Sequence, residues 1–239
     1  MFAKVVRGRL TRLPEAAGDD TGTTEGKEPA LRLAVLGDSV AAGVGAPDHG
    51  AALAGQVAQA LTAMTGRAVS WRVAAKAGAT LASARRGLLC GLTDPTARWR
   101  PDVVLVVAGT NDAMRLRGPR AFLRDTEALI REVRLRLGED VPVVLAGLPT
   151  LSTLDALPRR VRLPLSLYIH ILDHKLKTAA ARGVAVFYLP SGGPPDFPGN
   201  WLAPDHFHPS PAGYRAWARV LASRLATLTE AGFPTPAAN

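Results

Sequence analysis

Residues 31–45 read LRLAVLGDSVAAGVG. The run 31–36 is apolar apart from Arg32, which suits a buried strand. It stops at Gly37. Asp38 and Ser39 follow at once, ahead of a stretch of small residues with two more glycines, Gly43 and Gly45. A strand that ends in a Gly-Asp-Ser turn puts a serine hydroxyl at the carboxyl edge of a sheet, where open α/β sheets bind their ligands. Taken alone, the tripeptide is an ordinary turn, because Gly, Asp and Ser are the residues turns prefer. Its meaning depends on what the rest of the chain brings to the same edge.

Outward from this stretch, strands and helices alternate. The run 103–108, VVLVVA, is the clearest buried strand, and 69–75, 141–147 and 184–189 bring the number to five. Helical spacing of apolar residues predicts helices over 50–64, 80–89, 119–137, 163–182 and 211–229. Gly66, Gly138 and Gly183 stand where three of them should stop, and Pro211 opens the last. Strands that are apolar on both faces belong to a parallel sheet covered by helices on both sides. The expected fold is therefore a three-layer α/β/α sandwich on a five-stranded parallel sheet, flavodoxin-like in outline. Residues 30–239 read as one domain. Residues 1–29 read as an N-terminal arm, in which 15–29 is a linker rich in Gly, Asp, Thr and Glu.

Composition excludes several functions. The chain has 239 residues, is 47% hydrophobic and carries a formal net charge of +9. The basic residues have no aromatic stacking platform among them. No helix-turn-helix, RNA-binding signature or zinc-finger spacing accompanies them, so an arginine-rich solvated surface is expected and no nucleic-acid partner. The lone cysteine, Cys90, excludes an internal disulfide and, in the setting Gly-Leu-Leu-Cys, reads as a buried small hydrophobe. The sequence contains no run of about 18 apolar residues, so no membrane span is expected. The first residues lack the apolar core of a signal peptide, which makes the cytoplasm the expected compartment. No phosphate-binding or dinucleotide-binding glycine pattern appears, so no cofactor is expected. His170 and His174 have the spacing of a metal pair on a helix, but no third ligand is evident, and no metal site is expected.

Four polar, turn-rich stations reach the carboxyl edge. They are Ser39 after the first strand, Gly78 after the second, Gly109-Thr110-Asn111-Asp112 after the third and Asp205-His206-Phe207-His208-Pro209 after the fifth. A serine hydroxyl becomes a nucleophile when a base takes its proton, and neutral imidazole does this near neutral pH. The imidazolium so formed needs an acceptor on its other nitrogen, which a carboxylate three residues away can supply. His208 with Asp205 fits. A tetrahedral intermediate needs preorganised donors, for which the candidates are the backbone N–H groups of Ser39 and Gly78 and the side-chain amide of Asn111. Asp38 is expected to brace the serine turn and Asp112 to orient the Asn111 loop. His206 is expected to point elsewhere, and His49 to sit in a solvated loop.

With these residues in view, the chain resembles the GDSL, or SGNH, hydrolases. Gly37-Asp38-Ser39, the isolated Gly78, Gly109-Thr110-Asn111-Asp112 and Asp205-x-x-His208-Pro209 look like that family's four sequence blocks, in the same order and at strand ends. The resemblance implies a serine nucleophile at Ser39, oxyanion donors at Ser39, Gly78 and Asn111, and the acid and base pair at Asp205 and His208. The chain departs from the family's pattern at two places. The residues after Ser39 are small and apolar, and Ala74, Ala75 and Lys76 stand where an asparagine often precedes the second block's glycine.

The resulting expectation is a cofactor-independent esterase acting on a small-molecule carboxylic ester with a short-to-medium acyl chain. The leucine- and proline-rich segment 148–167, with Trp201, Leu202 and Phe207, is a candidate wall for the acyl group. Thioesterase, lysophospholipase, carbohydrate deacetylase and acyltransferase activities use the same site and stay open. A binding module without catalysis is the rival of a different class.

Overall fold

The computed structural model describes residues 12–149, 159–191 and 199–230. Its sheet has six strands: β1 (Thr21–Thr23), β2 (Lys27–Gly37), β3 (Arg67–Ala75), β4 (Val103–Val107), β5 (Val143–Ala146) and β6 (Val186–Leu189). Their order across the sheet is β1-β3-β2-β4-β5-β6, and all neighbours run parallel except β1. The chain leaves β2 for β3 on one side and then crosses to β4 on the other. This reversal opens a crevice beyond the carboxyl ends of β2 and β4, which is where ligands bind in sheets of this kind.

Alternate residues of the strands feed two cores. Leu33 and Val35 of β2 and Leu105 of β4 pack under α1 (Leu53–Thr65) and α6 (Pro211–Glu230), against Leu53, Val57, Leu221 and Leu225. Ala34, Leu36, Val104 and Val106 face the other way. They meet α2 (Leu81–Gly87), α4 (Pro119–Leu137) and α5 (Arg159–Arg182) through Leu81, Phe122, Leu129, Leu172 and Leu176. The short α3 (Thr110–Met114) follows β4 directly. The two arginines that interrupt the apolar strands have local answers. Arg32, midway along β2, pairs with Asp102 just ahead of β4 at 2.6 Å, and Arg72 pairs with Asp94 at 2.7 Å.

The expected helix stops hold. Gly66 caps α1 with a left-handed φ of 70°, Pro119 opens α4 and Gly138 ends it. Three expectations change. The sheet has a sixth strand. The stretch 15–29, expected as a linker, supplies β1 and the start of β2, and Gly22 of β1 leaves room for the Trp71 ring. A three-residue polar edge strand has no apolar period to betray it. Cys90 lies exposed in a short 3-10 turn, not in the core. The helix expected from residue 163 begins at Arg159 and accommodates Pro164 inside it. Residues 150–158 of the candidate acyl wall lie outside the described residues. Of the remainder, Leu148 and Leu165 are buried, while Leu163 and Leu167 are exposed. Among the described residues, no helix is long and apolar enough to cross a membrane.

Tyr214 links the last helix to the loop behind Ser39. Its side chain is fully buried, and its hydroxyl donates to the Val44 carbonyl at 2.7 Å. Replacing Tyr214 by Phe leaves that buried carbonyl without its donor. Unfolding in urea should show a loss of about 1–3 kcal/mol, and an unchanged midpoint and slope would contradict this role.

Candidate active site

The site begins with a close approach of two strands. Gly37 pairs with Val107, and a Cβ at Gly37 would run into the Val107 carbonyl oxygen. The ladder continues one step further, with Asp38 N–H donating to that same carbonyl at 3.0 Å. Ser39 is the first residue beyond the ladder. The chain then coils on itself, with Ala42 N–H donating to Asp38 O and Val44 N–H to Ser39 O, both at 2.9 Å. The small residues after Ser39 allow this tight turn. Gly45, at φ 97°, lies where a side chain would strike the Pro209 carbonyl, so the serine loop and the histidine loop touch backbone to backbone.

On the histidine side, Asp205 organises its own turn. Its Oδ1 accepts the N–H groups of Phe207 and His208, each at 3.0 Å, and its Oδ2 lies 2.6 Å from His208 Nδ1. Burial pushes the Asp205 carboxyl up, but the hydrogen bonds from His208 and Phe207 outweigh it and hold the group below its ordinary value. With Asp205 ionised, the imidazole proton sits on Nδ1, which leaves Nε2 as an acceptor. Nε2 lies 3.0 Å from Ser39 Oγ. The Phe207 ring packs edge-on to the imidazole with centroids 5.1 Å apart. His206 takes the left-handed φ of 54° and turns outward into solvent, as its place in the turn suggested.

Gly78 and Asn111 stand on the neighbouring loops. Lys76 O accepts the Ala79 N–H at 3.0 Å, and Gly78 has a φ of 82°, the arrangement of a type II turn with glycine in its third position. A Cβ on Gly78 would meet nothing within 4 Å, so this residue faces open space. Arg115 Nη2 donates to the Gly78 carbonyl at 3.0 Å, and Glu15 Oε1 accepts the Ala77 N–H at 2.6 Å. Asn111 lies in the first turn of α3, beside Asp38, whose carboxyl it pulls slightly downward. Among the described residues, no acceptor takes the backbone N–H of Ser39 or of Gly78.

The two remaining acids brace this arrangement. Asp38 Oδ1 accepts Val40 N–H at 3.2 Å, and Asp112 Oδ2 accepts Leu81 N–H at 3.1 Å, which ties α3 to the start of α2. Burial pushes the Asp38 carboxyl up to about 7, against the pull of Val40 N–H and His208. Burial likewise raises Asp112 to about 6, against the Leu81 N–H.

Ser39, Asp205 and His208 are joined by hydrogen bonds, and Gly78 and Asn111 stand on the loops after the neighbouring strands β3 and β4. His49 is a correction. It is buried beside Trp71 rather than solvated, and burial lowers its pKa. His170 and His174 are exposed on α5, and no metal-binding group of His, Cys, Asp or Glu occurs among the described residues. Sequence reading missed Glu15 and Arg115. Both act across a long sequence separation on a backbone group, and no local pattern signals that.

The raised carboxyls carry a signed consequence. Folded Asp38 and Asp112 bind protons more tightly than an unfolded aspartate with a pKa near 4. Their contribution to stability is full below about pH 4 and is lost as pH rises through about 6 and 7. Asp205 works in the opposite sense, and its contribution is lost as pH falls. Replacing Asp38 by Asn keeps a side-chain oxygen for Val40 N–H and removes the larger of the two upward shifts. Thermal unfolding of Asp38→Asn should fall less steeply between pH 4 and 8 than that of the wild type, and an identical pH profile would contradict the assignment.

Comparison with known proteins gives a consistent family picture. A family model described as GDSL-like Lipase/Acylhydrolase matches residues 35–216. A GDSL-like esterase of Mycobacterium tuberculosis is 26% identical over 205 residues, which are 80% of this chain and 60% of that protein. The chain thus spans less than two thirds of that relative. Among solved structures, a family 3 carbohydrate esterase of Clostridium thermocellum superposes with a TM-score of 0.63 at 15% identity, covering 84% of this chain and 98% of the other. A lipase/acylhydrolase of Enterococcus faecalis gives 0.62 at 21% identity, covering 82% and 96%. These likenesses show the fold.

Proposed function

The chain belongs to the GDSL-like lipase/acylhydrolase family, and from that premise we propose that it is a hydrolase, a serine esterase working through an acyl-enzyme. The observation that carries the reading is the unbroken relay from Ser39 Oγ to His208 Nε2 at 3.0 Å and from His208 Nδ1 to Asp205 Oδ2 at 2.6 Å.

His208 Nε2 takes the Ser39 proton as Oγ attacks the ester carbonyl carbon. The carbonyl π-pair moves onto oxygen, and the N–H groups of Ser39 and Gly78 and the amide of Asn111 receive that oxyanion. Asp205 fixes the imidazole ring and stabilises its cationic form. The intermediate collapses, the alcohol leaves with the proton from His208, and an acyl-Ser39 ester remains. Water, activated by the same imidazole, returns the serine and releases the acid. Asp38 acts on the reaction only by bracing the serine turn through Val40 N–H.

The acyl group is read as short to medium in length. Phe207 beside the imidazole and Leu202 close by are half-buried apolar side chains at the mouth of the site, and they suit an apolar acyl moiety better than a charged one. Thioesterase, lysophospholipase, carbohydrate deacetylase and acyltransferase activities would run on the same groups.

On p-nitrophenyl esters of increasing chain length, the wild type should turn over short and medium chains. Ser39→Ala should lose about 10³-fold or more in kcat with an unchanged circular dichroism spectrum. Turnover retained in Ser39→Ala would overturn the reading. Parallel thioesters, lysophospholipids and acetylated sugars, with alcohol acceptors added, separate the alternatives.

A further inference from the structure

The backbone segment at residues 15–17 lies across both loops that flank the crevice. Ala16 N–H donates to Ala42 O at 3.0 Å and Ala17 N–H to Pro47 O at 3.1 Å, so the segment is stitched to the loop that follows Ser39. At Gly43 a Cβ would press on Ala16 Cβ at 2.6 Å, so the two backbones are in close contact. One residue earlier, Glu15 Oε1 accepts the Ala77 N–H at 2.6 Å, in the turn that carries Gly78. The segment therefore holds the Ser39 loop by its backbone and the Gly78 turn by a carboxylate.

The turn has few other restraints. Lys76 N–H reaches Gly37 O at a long 3.3 Å, and Arg115 holds the Gly78 carbonyl. The peptide that presents the Gly78 N–H lies between the Lys76–Ala77 peptide, held by Glu15, and the Gly78–Ala79 peptide, held by Arg115. A glycine with open space at its Cβ position brings no side-chain packing of its own. The spacing between the Gly78 and Ser39 donors is thus set by groups outside the turn, and catalysis is sensitive to such spacing at the level of an ångström.

We propose that Glu15 is a positioning residue for the oxyanion site, and that residues 15–17 clamp the Gly78 turn to the Ser39 loop. The inference rests on the serine-esterase reading. The effect should fall on kcat, because the oxyanion forms only in the transition state. It should be moderate, because Glu15 is exposed and water can also accept the Ala77 N–H.

The test is steady-state kinetics on a p-nitrophenyl ester with the full chain. Glu15→Ala should lower kcat about fivefold, with KM changed by less than about twofold and the melting temperature within about 2 °C of the wild type. Glu15→Gln, which retains an acceptor oxygen, should recover most of the rate. Ala77→Pro deletes the partner N–H and suits the second position of a type II turn. In an Ala77→Pro background, Glu15→Ala should change nothing further. An unchanged kcat in Glu15→Ala overturns the clamp. So does a loss that Glu15→Gln does not recover, one that appears in KM or melting temperature, or one that multiplies with Ala77→Pro. Activity surviving in Ser39→Ala would instead sink the esterase reading, so the two failures are distinguishable.

Discussion

The contact of Gly37 with the Val107 carbonyl sets the geometry of the whole carboxyl edge. Because glycine has no Cβ, β2 and β4 stay paired to the last residue, and Asp38 adds one further rung. Ser39 and the Gly109–Asn111 turn then emerge side by side at the point where the strand order reverses. The sheet fixes these two loops. The histidine loop, which arrives from the far edge, is fixed differently. It rests on backbone contact at Gly45 and on the buried Tyr214 hydroxyl at Val44. Packing along the strands and specific polar bonds at their ends thus divide the work.

Charge is distributed around the crevice in layers. Asp205 is buried, yet it gains enough hydrogen bonds to stay ionised, which fixes the His208 tautomer. Asp38 is buried more deeply with fewer donors, and its carboxyl is pushed up to about 7. Deeper burial with fewer N–H donors thus raises Asp38, while the N–H groups of His208 and Phe207 hold the less deeply buried Asp205 down. The Asp38 environment stabilises the loop more as pH falls, and the Asp205 environment more as pH rises.

Much of this was legible in the sequence because the relevant signals are local. The apolar runs at 31–36 and 103–108, the glycine stops at 66 and 138 and the four polar stations each lie within a few residues, and hydrogen bonds join Ser39, His208 and Asp205. What escaped reading is long-range or weakly patterned. β1 is three polar residues held by an edge pairing. Cys90 sits in a leucine-rich context, yet a short 3-10 turn carries it outward. His49 looked like a loop residue and is covered by packing against Trp71. Glu15 reaches 62 residues along the chain to one amide, which no pattern of side chains announces.

The central claim is that Ser39 is the nucleophile activated by His208. The most direct test is trapping with a fluorophosphonate followed by peptide mass spectrometry, on the wild type and on His208→Ala. The account predicts a single stoichiometric adduct on the peptide containing Ser39 in the wild type, and labelling slowed by orders of magnitude in His208→Ala. An adduct on another residue, or equal labelling rates in the two proteins, would contradict it.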